Sequence, residues 1–280
     1  MQFNPQPGKF HDLSVQRLVN FGVYLEGSEQ GILLPKRYVP AQVKIGDVLQ
    51  VFLYHDGEDR LIATTDKPFA QLDEIALLTV VSTNPQGAFM NWGLMKDLFV
   101  PKSQQLNRMM PQGKYMVKIK LDLKTGRLYG TEKWEHEISN DHLTVQEKEQ
   151  VELMIHRRTD LGYAVVVNHK HHGLLYHEEI FQTIYPGARF SGFIKKIYPE
   201  NNQIDAAIGK PGYQRVDDQA SIILKLLEEN GGFLPYHDKS DPEQIYEVFE
   251  MSKKTFKMCL GNLYKLRRIE IESKGIKLIR

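Results

Sequence analysis

A mainly β chain, three tandem five-stranded barrels followed by a C-terminal α+β domain, is the fold class this sequence predicts. Three observations predict it. A glycine-led strand pattern returns three times, apolar residues alternate within each return as they do in strands, and beyond Pro211 the period becomes helical.

In the first unit Phe21-Gly22-Val23-Tyr24-Leu25 precedes Gly31-Ile32-Leu33-Leu34-Pro35, then Ile45 to Val51, then Arg60 to Thr64. The same order runs through Gln86 to Met90, Asp97 to Pro101, Gln112 to Val117 and Arg127 to Thr131. A third copy runs through Leu161 to Val165, Gly173 to His177, Pro186 to Phe190 and Gln203 to Ala207. Gly46, Gly113 and Gly187 lie 67 and 74 residues apart, a spacing that fits a small domain per copy. With the stretch near Val15 counted, each unit holds five short strands, whose edges are best buried by closing into a barrel. The stretch from Met116 to Leu123 alternates Met116, Lys118, Lys120 and Asp122 with Val117, Ile119, Leu121 and Leu123, the pattern of a half-buried strand. Turns are supplied by His55 to Asp59 and by Lys124-Thr125-Gly126. The units are thus expected at 1–67, 68–139 and 140–211, with 212–280 as the last domain.

From Asp217 to Glu229 apolar residues recur at Ile222, Ile223, Leu226 and Leu227, with acids in the first turn and Gly231-Gly232 as the stop. A second helix is expected to start at Asp241-Pro242, where aspartate caps and proline fits the first turn. A third is expected to start at its N-cap Ser252 and to bury Phe256, Leu260 and Leu263 or Tyr264. Residues 269–279 alternate around Ser273-Lys274-Gly275 as a hairpin. Three helices and a hairpin resemble a winged helix, whose third helix usually enters a groove while the wing touches backbone. The formal net charge of +1 conceals an asymmetry: nine acids oppose two lysines from Asp217 to Glu250, and nine bases oppose two glutamates from Met251 onward. Lys253, Lys254 and Lys257 fall early on the third helix, and Arg267, Arg268 and Lys274 flank the wing. These six are the candidate nucleic-acid contacts of this domain, and contact with protein is the competing role.

With 41% hydrophobic and 25% charged residues, extensive disorder is not expected. No apolar run reaches the roughly 20 residues of a membrane span, the N-terminus has no signal-peptide pattern, and Cys259 is the one cysteine, so a cytoplasmic setting without a membrane partner is expected. His169, His171 and His172 in HKHHG lie in the polar turn before GLLY with no carboxylate or cysteine spacing beside them, so no metal is expected there. His136 and His142 fall in a charged connector read as a linker or short edge segment, and Cys259 is read as a buried structural thiol. Phosphate loops, dinucleotide fingerprints and nucleophile elbows are absent from the sequence, so neither cofactor nor catalysis is expected.

The order Phe21-Gly22-Val23-Tyr24, Gly31-Ile32-Leu33-Leu34, Gly46-Asp47-Val48, then Asp56 and Arg60 resembles the RNA-binding S-one domain, a five-stranded oligonucleotide-binding (OB) barrel. Three such units and the C-terminal segment together resemble the bacterial conserved virulence factor B family over nearly the whole chain. The resemblance implies a single strand crossing strands two and three, with Phe21 and Tyr24 as stacking aromatics and Asp56 and Arg60 as the charged pair near the last hairpin. Leu34 departs from it by standing where the family has a histidine. In the second unit it implies Phe89, Asp122 and Arg127, with Gln86 and Val100 as departures. In the third Leu161 and Ala164 depart, Tyr176 stands at the histidine slot, and Tyr198 and Gln203 replace the charged pair. Spaced by three, Phe21 and Tyr24 can share a face only with an irregularity at Gly22. The first unit, helped by Lys118, Lys120 and Arg127, is therefore expected to lead in weakly sequence-selective binding of single-stranded RNA, with mRNA as the candidate, and the family adds post-transcriptional control of gene expression. An aromatic beside a strand glycine is otherwise a core residue. A metal-dependent nuclease and a DNA-binding regulator led by the winged helix are the alternative functions.

Overall fold

The computed structural model describes residues 5–177, 184–209 and 212–279. Pro211, where the period changes, Arg280 of the basic run, and the side chains of Asp217 and Asp218 lie outside the described residues. In the first barrel β1 (Phe10–Val19), β2 (Gly22–Leu25), β3 (Ile32–Pro35), β4 (Val48–His55) and β5 (Leu61–Thr64) close in the order β1-β2-β3-β5-β4. In the third, β11 (Gln150–Arg158), β12 (Gly162–Val167), β13 (His171–Tyr176), β14 (Arg189–Tyr198) and β15 (Gln203–Ile208) close in the same order. The second uses β6 (Ile75–Asn84), β7 (Gly87–Asn91), β8 (Leu98–Pro101), β9 (Lys114–Leu121) and β10 (Leu128–Thr131) in the order β10-β9-β6-β7-β8. No ladder joins β8 to β10 among the described residues. That seam closes by packing, with Gly130 against Val100 and Leu98, and by Glu132 N donating to Gln104 O at 2.9 Å.

One steric constraint recurs in all three barrels. A β-carbon at Gly22, Gly87 or Gly162 would lie 2.2, 2.2 or 2.0 Å from the carbonyl oxygen of Leu34, Val100 or Leu175, so strand two must begin with glycine where strand three passes over it. The irregularity expected at Gly22 lies instead on the facing strand, where pairing skips a residue between Val15 and Arg17, and again between Val80 and Ser82 and between Ile155 and Arg157. Each shift sits opposite strand two, and Phe21 lies in the β1–β2 turn ahead of its strand.

Barrels one and two share a core. Phe52, Tyr54 and Ile62 pack in one cluster with Trp92, Leu98 and Val117, and Phe52 meets Trp92 edge to face with centroids 5.8 Å apart. Barrel three is held to barrel two through both backbone groups of Ile75. Its N–H donates to His169 Nδ1 at 3.1 Å, and its carbonyl accepts from Arg189 Nη2 at 2.7 Å. Glu152 joins the two grips, 3.1 Å from His169 Nε2 and 3.6 Å from Arg189 Nη1. The histidine stretch thus differs from the expected polar turn. His171 opens β13, is buried, lies 2.7 Å from the Ser139 carbonyl through Nδ1, and accepts from Thr144 N through Nε2. The connector is likewise no linker, since its Trp134 and Ile138 are buried with Ile75, Met154 and Val166 between the barrels.

In the C-terminal domain α1 (Gly212–Glu229), α2 (Pro242–Phe249) and α3 (Lys253–Lys265) pack on the hairpin β17 (Ile269–Glu272) and β18 (Gly275–Leu278), with β16 (Phe233–Leu234) as a third strand. Asp241 accepts from Glu243 N at 2.8 Å and Ser252 from Thr255 N at 3.2 Å, so both expected caps form. Because α1 begins at Gly212, its first turn carries no acid, which corrects the expected start. Ile223, Phe249, Phe256, Cys259 and Leu260 form the core.

Replacing Gly162 by alanine should lower stability by roughly 1–3 kcal/mol or more through overpacking against Leu175. An unchanged urea-denaturation midpoint would contradict the steric assignment.

Candidate nucleic-acid interface

On the first barrel Phe21 is 57% exposed and meets Tyr24 edge to face, with centroids 6.3 Å apart. Tyr24 is half-buried, and the Arg17 guanidinium lies 4.3 Å from its ring centroid. Arg17 is the ladder partner of Tyr24 on β1, placed there by the skipped residue. The expected aromatic pair therefore shares one open face with a cation that the sequence pattern does not reveal.

Asp56 and Arg60 come together, but they bind each other. Asp56 Oδ2 accepts from Arg60 Nε at 2.9 Å and from Nη2 at 2.7 Å, while Oδ1 accepts from the backbone N of Glu58 and Arg60. Burial opposes the charged form of Asp56, yet hydrogen bonds from the Arg60 side chain and backbone outweigh it and hold the carboxyl below its usual value. This pair shapes the β4–β5 hairpin. Asp122 shapes the corresponding β9–β10 hairpin by accepting from Lys124 N and Thr125 Oγ1, both within 3 Å. The extra residue of that hairpin sends Arg127 elsewhere, into an ion pair with Asp59 of the first barrel.

Lys118 and Lys120 are corrected as free phosphate contacts. Glu137 takes both, at 3.1 and 2.8 Å, and Lys118 is buried because the connector covers this face of β9. The half-buried strand read from alternation is therefore covered on both sides.

In the second barrel Phe89 lies beside Phe99, with centroids 5.1 Å apart. Phe99 is absent from the sequence-based site, although its alternation with buried Leu98 and Val100 marks it as facing outward. Ladder partners also move Tyr176. Gly22, Gly87 and Gly162 pair with Pro35, Pro101 and Tyr176, so Leu34 and Val100 correspond to Leu175, all three fully buried. Tyr176 thus stands one position past the slot assigned to it. On barrel three Tyr163 stacks edge-on with His177 at 5.8 Å, and Lys196 lies 4.2 Å from the Tyr198 ring, a small aromatic set the sequence pattern did not assemble.

Lys254 and Lys257 are exposed on α3 beside exposed Met258, and Arg267, Arg268 and Lys274 are exposed around the hairpin. Lys253 is half-buried, its Nζ 3.4 Å from the Lys239 carbonyl. Among the described residues no three of His, Cys, Asp and Glu gather to hold a metal, and no helix is long and apolar enough to cross a membrane.

Tandem OB barrels with outward aromatics, joined to a winged helix with a basic outer face, define a modular nucleic-acid-binding protein. Residues 7–66 match the family model of the S1 domain, and residues 221–278 match that of the CvfB-like winged helix domain. Conserved virulence factor B of Staphylococcus aureus strain USA300 is 28% identical over 246 residues, covering 85% of this chain and 81% of its own length. The protein of the same name from strain MW2 is 27% identical over the same shares. A crystal structure of a multidomain protein with nucleic acid binding domains from Streptococcus pneumoniae TIGR4 aligns over 98% of both chains at 21% identity, with a TM-score of 0.41. The chain is thus similar to conserved virulence factor B over most of its length, in agreement with the family its sequence resembles.

Burial disfavours the charged form of Glu137, but hydrogen bonds from Lys120 and Lys118 outweigh it and hold its carboxyl below the usual 4.5. A carboxyl lowered in the folded state contributes stability in full above its unfolded value and loses it as pH falls through the folded one. The stability gap between wild type and Glu137→Gln should hold from neutral pH to about 4.5 and close below that. A gap of constant size across urea titrations at each pH would contradict this pairing.

Proposed function

We propose that this chain binds single-stranded RNA without catalysis and acts in post-transcriptional control of gene expression in the cytoplasm, through barrels at 1–67, 68–139 and 140–211 and a winged helix at 212–280. One observation carries this reading. At equivalent ladder positions on the outer face of strand two, Tyr24 and Phe89 each sit against a second aromatic, Phe21 or Phe99, that the barrel core does not need. Such platforms stack bases of any identity, and stacking contributes roughly 1–3 kcal/mol per base. Arg17 over Tyr24 adds a cation where a backbone phosphate would pass.

The match of residues 7–66 to the S1 domain supports RNA as the polymer, and the name of the relatives supports a regulatory role. Lys254, Lys257, Arg267, Arg268 and Lys274 supply phosphate contacts in this reading, with Lys253 behind them. DNA or protein as the partner of the winged helix is the competing assignment for that domain alone. Arg60, Asp56 and Asp122 shape the hairpins beside the platforms, and Tyr176 borders the corresponding face of barrel three.

In a binding titration with labelled oligoribonucleotide, Phe21→Ala combined with Tyr24→Ala should weaken affinity about tenfold or more, with circular dichroism unchanged. Unchanged affinity in the folded double variant would remove this site. Incubation of the same RNA with purified protein in magnesium or manganese should leave it intact, and a metal-dependent cleavage product would replace the binding reading with a nuclease.

A further inference from the structure

A cleft of about 810 Å³ lies between the β4–β5 hairpin of the first barrel and the β7–β8 face of the second. That size falls within the roughly 300–1,000 Å³ of pockets that enclose small ligands. Phe89 and Phe99 form part of one wall, and Tyr54 and His55 of the hairpin form part of the other. The hairpin wall is tied in place, since Lys96 Nζ donates to the Asp56 carbonyl at 2.6 Å and Asp59 pairs with Arg127.

Two polar groups in this cleft lack a protein partner. His55 Nδ1 is buried with no hydrogen bond, and burial alone, with no hydrogen bond or ion pair, acts on the Asp97 carboxyl. Buried polar atoms in folded proteins are almost always paired, so the orphan His55 Nδ1 calls for a partner, and the half-buried Asp97 carboxyl in the same cleft lining is free to take one. Partial burial raises the carboxyl of Asp97, and burial, with help from Lys96, lowers the imidazole of His55. The two imidazole nitrogens offer a donor and an acceptor and the carboxyl offers acceptors, which suits the mixed edge of a nucleobase.

We propose that this composite cleft is a base-selecting pocket, in which one base of the bound strand stacks on Phe89 and Phe99 and is read along its edge by His55 and Asp97. This inference rests on the single-strand-binding reading and departs from it in one respect. The open platform of Phe21 and Tyr24 accepts any base, whereas the cleft makes one position of the strand selective, and it does so only when the two barrels are joined.

The test is binding of short oligo(A), oligo(C) and oligo(U) by the full chain, followed by fluorescence anisotropy. Wild type should prefer one of the three by about tenfold or more. Asp97→Ala and His55→Phe, each checked by circular dichroism, should level that preference while binding persists, and Phe99→Ala should weaken the preferred oligomer about tenfold. Equal affinity of wild type for all three, or a preference that survives both polar substitutions, would overturn the pocket and leave the platform reading standing. A nucleoside monophosphate bound as tightly as the oligomer would reassign the cleft to free nucleotides and overturn its place on a strand. Failure of every oligomer to bind would overturn the single-strand reading itself, and the pocket with it.

Discussion

The edge-to-face contact of Phe52 with Trp92 lies in the shared core that makes two barrels one body, and the relative placement of the proposed binding surfaces depends on it. Phe52 belongs to β4 of the first barrel and is fully buried, so the face a lone barrel would show to water is here covered by its neighbour. Around this contact Lys96 and Arg127 reach from the second barrel to the first barrel's hairpin. Exposed ion pairs contribute little alone, and these matter as orientation on top of apolar burial. The grip of His169 and Arg189 on Ile75 extends the same logic to the third barrel. A strand crossing these faces would meet surfaces of fixed relative position, which reduces the ordering cost of binding compared with three barrels on flexible linkers.

Within each barrel, the glycine at the start of strand two decides what can face outward. Strand three passes so close to Gly22, Gly87 and Gly162 that its next inward residue is locked in the core, as Leu34, Val100 and Leu175 are. Positions beyond the glycine then alternate, sending Tyr24 and Phe89 outward and Leu25 and Met90 inward. The same scaffold carries an aromatic pair with a cation on barrel one, an aromatic pair facing a cleft on barrel two, and tyrosines with a histidine on barrel three.

Repeats, strand order, caps and helix faces were legible because each depends on local pattern: alternation in β2 and β3, the caps Asp241 and Ser252, and the apolar stripe of α3. Phe21 and Tyr24 were legible through the family pattern. What escaped depends on distant chain. Lys118 reads as an exposed strand lysine until the connector, with Trp134 beneath it, brings Glu137 across β9. His171 reads as a turn residue until Ser139 and Thr144 arrive to bind both its nitrogens. Arg17 meets Tyr24 only because β1 skips one residue, and Tyr176 slides one position because strand three is anchored by its pairing with Gly162, which sequence spacing does not report. Phe99 is the exception: its alternation was visible, and the family slot drew attention to Val100 instead.

In the proposed complex RNA lies across the outer faces of strands two and three of the first two barrels. Photo-crosslinking a 4-thiouridine-substituted oligoribonucleotide to the full chain, followed by peptide mapping, tests it most directly. Crosslinks are expected in the peptides that carry Phe21 and Tyr24 and those that carry Phe89 and Phe99. Crosslinks confined to the winged helix, or to the covered face of β9, would contradict it.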